Sequence, residues 1–485
     1  MPEITTSSWA VTRAHLSSAA TLSFAFVIDS ASMRHYLAKR GSMRKTGVLA
    51  MLLGLSSGGI QSSQATDIVD VALATASRYE IFMWVPFGST KDSVPGIAHV
   101  LEHLKFKSGG EKGLGALANI PGSQTNAQTS FNFTRFDVGI DALHLPDALQ
   151  ALAGVTTSLH IDEKDVESEK SVVKQELFQR NSADPDTPFY QGFTKQLFEG
   201  SVMALSPGGT QESVDGVHLK DVLAFDAANY QGASTFLVLA GPALSADNQA
   251  ALDKLFVAAK VSYITVDPHR RPSYAESALA GSTPFLTSIQ PLNVAASSFV
   301  VHRESTHISS TKMYYSKLVN APTSWKNVVA SWIVENAMNS RLDEGLTDKI
   351  AEDANLVTRF QFSLDRQTDT LWKMDFVAEM QSGVDPETVR DVLQAHLHSV
   401  AVSGLSTKSF ERLRSRYFMR DEWDNADAHV QSFGTTAVNE GYDAALNKYS
   451  TLRDLKLEDV NALLRSLDVD GRVGFAILSP KGVLQ

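Results

Sequence analysis

The feature that most constrains the fold of this chain is a repeated segment. The stretch LKDVLAFDAANYQGASTFLVLAGP (219–242) aligns without gaps with LEDVNALLRSLDVDGRVGFAILSP (457–480), at an offset of 238 residues. Each copy has the pattern of an amphipathic helix, a turn that contains glycine and an apolar strand that ends in proline. The match predicts that the chain folds as two similar halves.

Both halves carry mixed helix and strand patterns. Strand-like runs occur at 79–88, 131–141 and 371–380, and they alternate with helical patterns such as 145–159. With 485 residues, 43% of them hydrophobic and 20% charged, the chain has the composition of a globular protein of two or more domains. We expect an α+β fold made of two similar α/β halves.

A segment rich in Pro, Ser and Gly, residues 267–285, reads as a linker between the halves. It divides the chain into an N-terminal half at 66–266 and a C-terminal half at 286–485.

Residues 1–65 are predicted to be a targeting region. Two basic residues precede an apolar run at 46–55, and small and polar residues follow up to Ala65, which is the order of a secretory signal peptide. The signal would occupy residues 43–65, and residues 1–42 would be an extension or would come from a start codon assigned too early. We expect a periplasmic or secreted protein; a mitochondrial transit peptide, with a mitochondrial location, is the alternative.

The charge of the chain excludes some classes of partner. Without residues 1–65, the 37 basic and 52 acidic residues give a net charge of −15. An acidic body disfavours nucleic acid and anionic membranes as partners. The apolar run at 46–55 is too short to span a bilayer. We therefore expect neither a nucleic-acid partner nor a membrane span.

The motif His99-Val-Leu-Glu102-His103 indicates a metal site. On a helix, the spacing of four residues brings both imidazoles to one ion, and Glu102 lies on the same side, opposite the apolar residues. A solvated polar helix face is the alternative. Because the chain has no cysteine, any further protein ligand must be His, Asp or Glu.

The segment 165–180 offers the next ligand. Glu169 and Glu176 are two helical turns apart and share an arc with apolar residues that include Val172 and Val173. Carboxylates within an apolar arc are costly unless they are paired or bind a metal. One of this pair is therefore the best candidate for the third ligand.

Together, these segments resemble the pitrilysin/insulinase metallopeptidases, or inverzincins, whose H-x-x-E-H motif has an inverted order. Residues 84–108 are similar to the family's strand, Gly-Ser turn and zinc helix, and residues 122–140 to its Asn-Ala-x-Thr edge strand. Glu169 and Glu176 match its downstream glutamate pair, with Glu176 73 residues after His103. The family includes subunits of mitochondrial processing peptidase and bacterial heterodimers, and it implies paired α/β domains that close around a peptide like a clamshell.

The resemblance implies a role for each matched residue. His99, His103 and Glu176 would bind one Zn²⁺ per chain, and Glu102 would act as the general base. Glu169 would support the site, or it would only link two helices by a hydrogen bond. Ligands of this type also accept manganese or cobalt.

The segment Asn126-Ala127-Gln128-Thr129 is expected to form an exposed strand edge that pairs with an extended peptide substrate. Ordinary pairing within a sheet is the alternative. The resemblance implies a zinc-dependent peptidase that hydrolyses unfolded peptides.

The second half departs from the family pattern. An Arg and a Tyr that contact substrate in the family are replaced by Thr347 and Ala354, neither of which supplies a charge-assisted or phenolic hydrogen bond. The repeat offset also places Ala337, Ser340 and Arg341 opposite the metal motif, so this half should hold no zinc. We therefore expect the chain to be the zinc-bearing subunit of a heterodimer whose homologous partner supplies the Arg and Tyr.

Two other classes of protein fit parts of the pattern. One is a structural subunit without metal in a larger complex, and the other is a peptide-binding protein that encloses peptides without cleaving them. Intact His99, Glu102, His103 and Glu176 argue against the first class. Metal content and cleavage separate the second class from an enzyme.

Overall fold

The structure is a computed structural model that describes residues 66–73, 76–183, 186–256, 260–266, 297–321, 323–352, 354–419 and 426–482. The predictions for the targeting region at 1–65 and for the linker at 267–285 lie outside these ranges. No helix within the described ranges is both long enough and apolar enough to cross a membrane.

Two mixed sheets form the framework of the protein. The strands of the first sheet are β1 (Asp67–Leu73), β2 (Arg78–Val85), β3 (Gln124–Thr129), β4 (Thr134–Asp141), β5 (Phe236–Gly241) and β6 (Lys260–Val266). The strands of the second sheet are β7 (Phe299–Ser305), β8 (Lys312–Asn320), β9 (Val357–Arg366), β10 (Leu371–Met380) and β11 (Arg472–Pro480).

Helices cover these sheets. Those of the first half are α1 (Ile97–Lys107), α2 (Leu114–Leu117), α3 (Leu145–Ala153), α4 (Glu163–Ala183), α5 (Thr187–Leu197), α6 (Gln211–Asp215), α7 (Leu219–Asn229) and α8 (Ala246–Leu255). Those of the second half are α9 (Trp325–Met338), α10 (Pro386–Ser403), α11 (Thr407–Met419), α12 (Ala426–Glu440), α13 (Tyr442–Leu446), α14 (Lys448–Asp454) and α15 (Leu457–Leu467).

The second sheet repeats the strand order of the first. The first sheet runs β3-β4-β2-β5-β1-β6 and the second runs β9-β10-β8-β11-β7, so β6 has no counterpart among the described strands. Corresponding neighbours also have the same direction, since β1–β5 and β7–β11 are parallel while the other matched pairs are antiparallel. This topology confirms the predicted α+β fold of two similar halves. The exact domain boundaries stay a prediction.

The repeated segment and the strand patterns lie close to where the sequence places them. Helix α7 begins at Leu219 and helix α15 at Leu457, which keeps the offset of the repeat. Strand β10 spans the predicted 371–380, whereas the helix predicted at 145–159 ends at Ala153 and continues only as a short 3-10 turn. The strand predicted at 131–141 starts three residues later, at Thr134.

The ungapped offset fails at one position. Helix α9 follows β8 as α1 follows β2, but it ends at Met338. Ser340 and Arg341 lie beyond this end and therefore cannot be the helical counterparts of Glu102 and His103. Loops of different length before the two helices shift the register.

The halves exchange one helix each across their boundary. Helix α5 of the first half packs Phe189 and Phe193 against Tyr314 and Leu478 of the second sheet. In return, α12 of the second half packs Phe433 onto the outer face of the first sheet. The exchange ties the halves together through apolar burial, the largest stabilising term available to such an interface.

Glycine permits the closest approach in this exchange. A Cβ atom added to Gly434 in α12 would overlap the ring of Trp84, which is fully buried in the first sheet and cannot move aside. Gly192 lies within the equivalent helix α5, and a Cβ there would meet no atom within 4 Å. The two glycines therefore form a matched pair.

We expect Gly434→Ala to lower the free energy of unfolding by about 1–3 kcal/mol, since it overpacks the core. Gly192→Ala should raise it by up to about 1 kcal/mol, because Ala is the better helix former. Denaturant unfolding of both variants measures the difference. Equal effects of the two substitutions would contradict the described packing of α12.

Candidate metal centre

The start of helix α1 is fixed by the residues just before it. The carboxylate of Asp92 accepts hydrogen bonds from the N–H groups of Gly96, at 2.7 Å, and Ala98, at 3.2 Å. These amides have no partner within the helix, so the carboxylate serves as their cap. Gly96 has a φ of 94°, which glycine adopts most easily. The cap sets the position of the motif that follows.

Helix α1 is buried on every side, including the side that carries the motif. His99, Glu102 and His103 are 4%, 2% and 5% exposed. Near its end, Lys105 forms a buried ion pair with Asp226 of α7, with Nζ and Oδ1 2.5 Å apart. The alternative of a solvated polar face is therefore wrong for this helix.

Helix α4 brings a carboxylate to the two imidazoles. The Oε2 atom of Glu176 lies 3.7 Å from Nε2 of His99 and 3.5 Å from Nε2 of His103. Ligands that surround zinc tetrahedrally at about 2.0–2.1 Å are about 3.3–3.5 Å apart. The three side chains form the group that can hold a metal ion in the described part of the chain. Their donor types and separations fit zinc.

Burial and charge act in opposite ways on the two imidazoles. Burial lowers the pKa of His99 well below its usual value. Burial also acts to lower the pKa of His103, but hydrogen bonds to Glu169 and Glu176 overcome it and raise that pKa to about 10. The carboxylates thus favour a positive charge beside His103, and a bound cation would supply one.

Glu102 is a buried carboxylate beside the metal ligands. The hydroxyl of Thr129 donates a hydrogen bond to Oε2 of Glu102, with a separation of 2.5 Å. Burial raises the pKa of Glu102 to about 7, although His103 and this hydrogen bond act to lower it. The contact with Thr129 fixes the orientation of the carboxylate.

Glu169 holds the ring of His103 from the other side. Its Oε2 atom is 3.2 Å from Nδ1 of His103, and its Oε1 atom is 2.9 Å from Nζ of Lys107. With Nδ1 directed at Glu169, Nε2 is left to face Glu176. A carboxylate in this position orients a metal-binding imidazole and raises its basicity.

The arc of α4 is only partly as predicted. Val173 and Leu177 are buried beside the glutamates, but Val172 is 37% exposed and lies outside the core. The helix turns this valine away from α1, so the apolar arc is narrower than the sequence suggests.

The segment predicted to bind substrate forms strand β3 at the end of the first sheet. Asn126 and Ala127 pair with Asp137 and Phe136 of β4, and no other described strand pairs with β3. The side chain of Ala127 is buried. Thr129 also contacts Glu102, a role that the sequence did not indicate.

The metal centre opens into a cavity of about 730 Å³ between the two halves. The first half contributes His99, Thr129 and Arg180 to its wall, and the second half contributes Arg359 and Lys373 among others. Thr347 and Ala354, which replace the family's Arg and Tyr, are not among the lining residues. Sequence reasoning missed Arg180, although its spacing of four from Glu176 places it on the same helix face.

The fold and this centre define a two-half α+β protein with a candidate H-x-x-E-H metal site beside a cavity. Residues 69–192 match the family model described as Insulinase (Peptidase family M16). The first half therefore contains a domain of the M16 family, the insulinase and pitrilysin family.

Relatives of known name or structure carry two kinds of description. The zinc protease PqqE of Helicobacter pylori is 22% identical over 399 residues, covering 79% of this chain and 85% of the relative. Subunit 1 of the mitochondrial cytochrome b-c1 complex of Bos taurus is 28% identical over 204 residues, 41% of this chain and 40% of the relative. The crystal structure of a protease from Helicobacter pylori superimposes with a TM-score of 0.67 at 18% identity, covering 85% of this chain and 96% of that one. This structural similarity confirms the fold.

Glu169→Gln should weaken zinc binding by about 10- to 100-fold, because the amide holds the ring of His103 less firmly. Titration of purified protein against a zinc chelator measures the change. Glu167→Gln, an exposed position on the same helix, is the control and should leave the affinity unchanged. Equal zinc affinity in the two variants would show that Glu169 only links helices.

Proposed function

We propose that the protein is a zinc-dependent endopeptidase that hydrolyses unfolded peptides. The observation that carries the proposal is the convergence of His99, His103 and Glu176 beside the buried carboxylate of Glu102, at the wall of a cavity. A zinc protease among the relatives supports the same activity.

His99, His103 and Glu176 would hold one zinc ion per chain. When bound, zinc supplies a Lewis acid that polarises the peptide carbonyl and makes water acidic. Glu102 accepts the proton of the attacking water and passes it to the leaving amine. Thr129 keeps the carboxylate in the orientation that both transfers need, and Glu169 keeps the ring of His103 in place.

The substrate would lie along strand β3. Its outer edge has no described neighbour, so its N–H and C=O groups can pair with an extended peptide. Asn126, Ala127 and Thr129 would contact the peptide, mainly through the main chain since the Ala127 side chain is buried. Binding of this kind reads backbone more than side chains, which suits peptides of varied sequence.

We also propose that a homologous partner subunit completes the substrate site. Thr347 and Ala354 stand where the resemblance expects an Arg and a Tyr, and neither lines the cavity. A partner with that pair would supply the missing contacts. The signal-like segment at 43–65 favours a periplasmic or secreted location.

A structural subunit of a larger complex is the second candidate function. The similarity to a cytochrome b-c1 complex subunit favours it. The complete set of candidate ligands, together with Glu102, favours the peptidase, since a structural role requires none of these buried polar groups.

Glu102→Gln should retain one zinc per chain and lose peptide cleavage by at least about 100-fold, because the amide cannot accept a proton. Metal analysis and cleavage of a quenched fluorescent peptide measure both quantities. Glu111→Gln, an exposed position just after α1, is the control and should behave as the wild type. Wild-type protein that binds zinc but cleaves no peptide, alone or with a partner, would favour the structural role.

The same assay tests the partner. Adding a homologous chain that carries the Arg and Tyr should increase cleavage by the wild type but not by Glu102→Gln. Full cleavage by the wild type alone, with no gain from any homologous chain, would contradict the heterodimer.

A further inference from the structure

Arg180 occupies a place beside the metal centre that the proposed mechanism does not use. It lies on α4 one helical turn after Glu176, so it shares the face that points towards α1. The residue is half-buried, and it lines the cavity together with His99. Its guanidinium is therefore a cation at the inner wall of the cavity, next to the candidate ligands.

A glycine turn keeps the guanidinium in this place. A Cβ atom added to Gly208 would lie 3.1 Å from Nη2 of Arg180 and 3.4 Å from Nδ1 of His99. The guanidinium and the imidazole thus rest against the same point of the backbone. Gly209 has a φ of 72°, and a Cβ there would lie 2.7 Å from the carbonyl oxygen of Pro95, so the turn packs tightly beside the start of α1.

The cations on the opposite wall are held by carboxylates. Lys373 pairs with Asp375, and Arg359 pairs with Glu379, each at 2.5 Å. Lys312 pairs with Asp186. These pairs neutralise one another within the wall, so they offer little charge to a ligand.

Arg180 differs in the carboxylate that lies near it. That carboxylate is Glu176, which the metal would take as a ligand. With the charge of Glu176 directed to the metal, the guanidinium remains as a cation towards the cavity. Its planar fork matches the two oxygens of a carboxylate better than it matches any neutral peptide group.

We infer that Arg180 binds a carboxylate of the peptide substrate close to the scissile bond. The carboxylate is either the C-terminal group of a short peptide or the side chain of Asp or Glu. This assignment rests on the proposed peptidase function, and it gives the enzyme a preference for acidic groups that recognition of the backbone along β3 cannot provide.

The test measures binding in the zinc-loaded Glu102→Gln protein, where no cleavage disturbs the equilibrium. Four labelled peptides share one sequence and differ in two ways: a C-terminal acid or amide, and an internal Glu or Gln. Fluorescence polarisation gives the dissociation constant of each peptide. Comparison of acid with amide, and of Glu with Gln, distinguishes the two sources of the carboxylate.

We expect one of the two carboxylates to tighten binding by about tenfold or more, the usual value of a charge-assisted hydrogen bond. Adding Arg180→Gln should abolish this preference, and Arg180→Lys should retain part of it because the charge remains. Arg412→Gln, an exposed arginine outside the cavity, is the control and should keep the full preference. Zinc content and melting temperature are measured for every variant.

The outcomes separate the two proposals. A carboxylate preference that persists in Arg180→Gln, or binding of all four peptides with equal affinity, would overturn the role of Arg180 alone. Failure of all four peptides to bind would contradict the peptidase function itself.

Discussion

The contact between helices α1 and α4 is the interaction on which the candidate site depends. Apolar residues such as Val100 and Val173 bury the interface, and within it two imidazoles meet the carboxylate of Glu176. A buried group of this kind is expensive unless its charges are balanced. A bound metal ion resolves the cost, and it gives the buried Glu102 a partner in chemistry. The packing, the ligands and the proposed activity therefore share one physical cause.

The environment of this contact is built in layers. Asp92 caps α1, Lys105 ties its other end to Asp226, and Glu169 holds His103. Each of these polar contacts orients a helix or a ring and does not touch the cavity. The exchange of α5 and α12 then fixes one half against the other, and the second sheet becomes the far wall of the cavity. The metal centre is thus placed by contacts from both halves.

Much of this arrangement could be predicted from the sequence, because its signals are local and periodic. The repeat at an offset of 238 residues predicts the two halves, and the spacing of His99 and His103 predicts a shared ion. Glu176 could be proposed because a carboxylate in an apolar arc demands a partner. The exact span of β10 followed from its alternation and from the turn residues at its ends.

Other features could not be predicted because they depend on contacts distant in sequence. No local pattern shows that α12 packs on the first sheet, or that Gly208 holds Arg180 beside His99. The exposed side of Val172 was wrong because helical period alone does not fix the width of a buried arc. The counterparts of Glu102 and His103 were wrong because loops of unequal length break an ungapped offset.

The most direct test of the central claim is X-ray absorption at the zinc edge on protein loaded with one equivalent of zinc. We predict a first shell of nitrogen and oxygen at about 2.0–2.1 Å with two imidazoles, and loss of one imidazole in His103→Ala. A spectrum without imidazole ligands, or one unchanged by His103→Ala, would contradict the account.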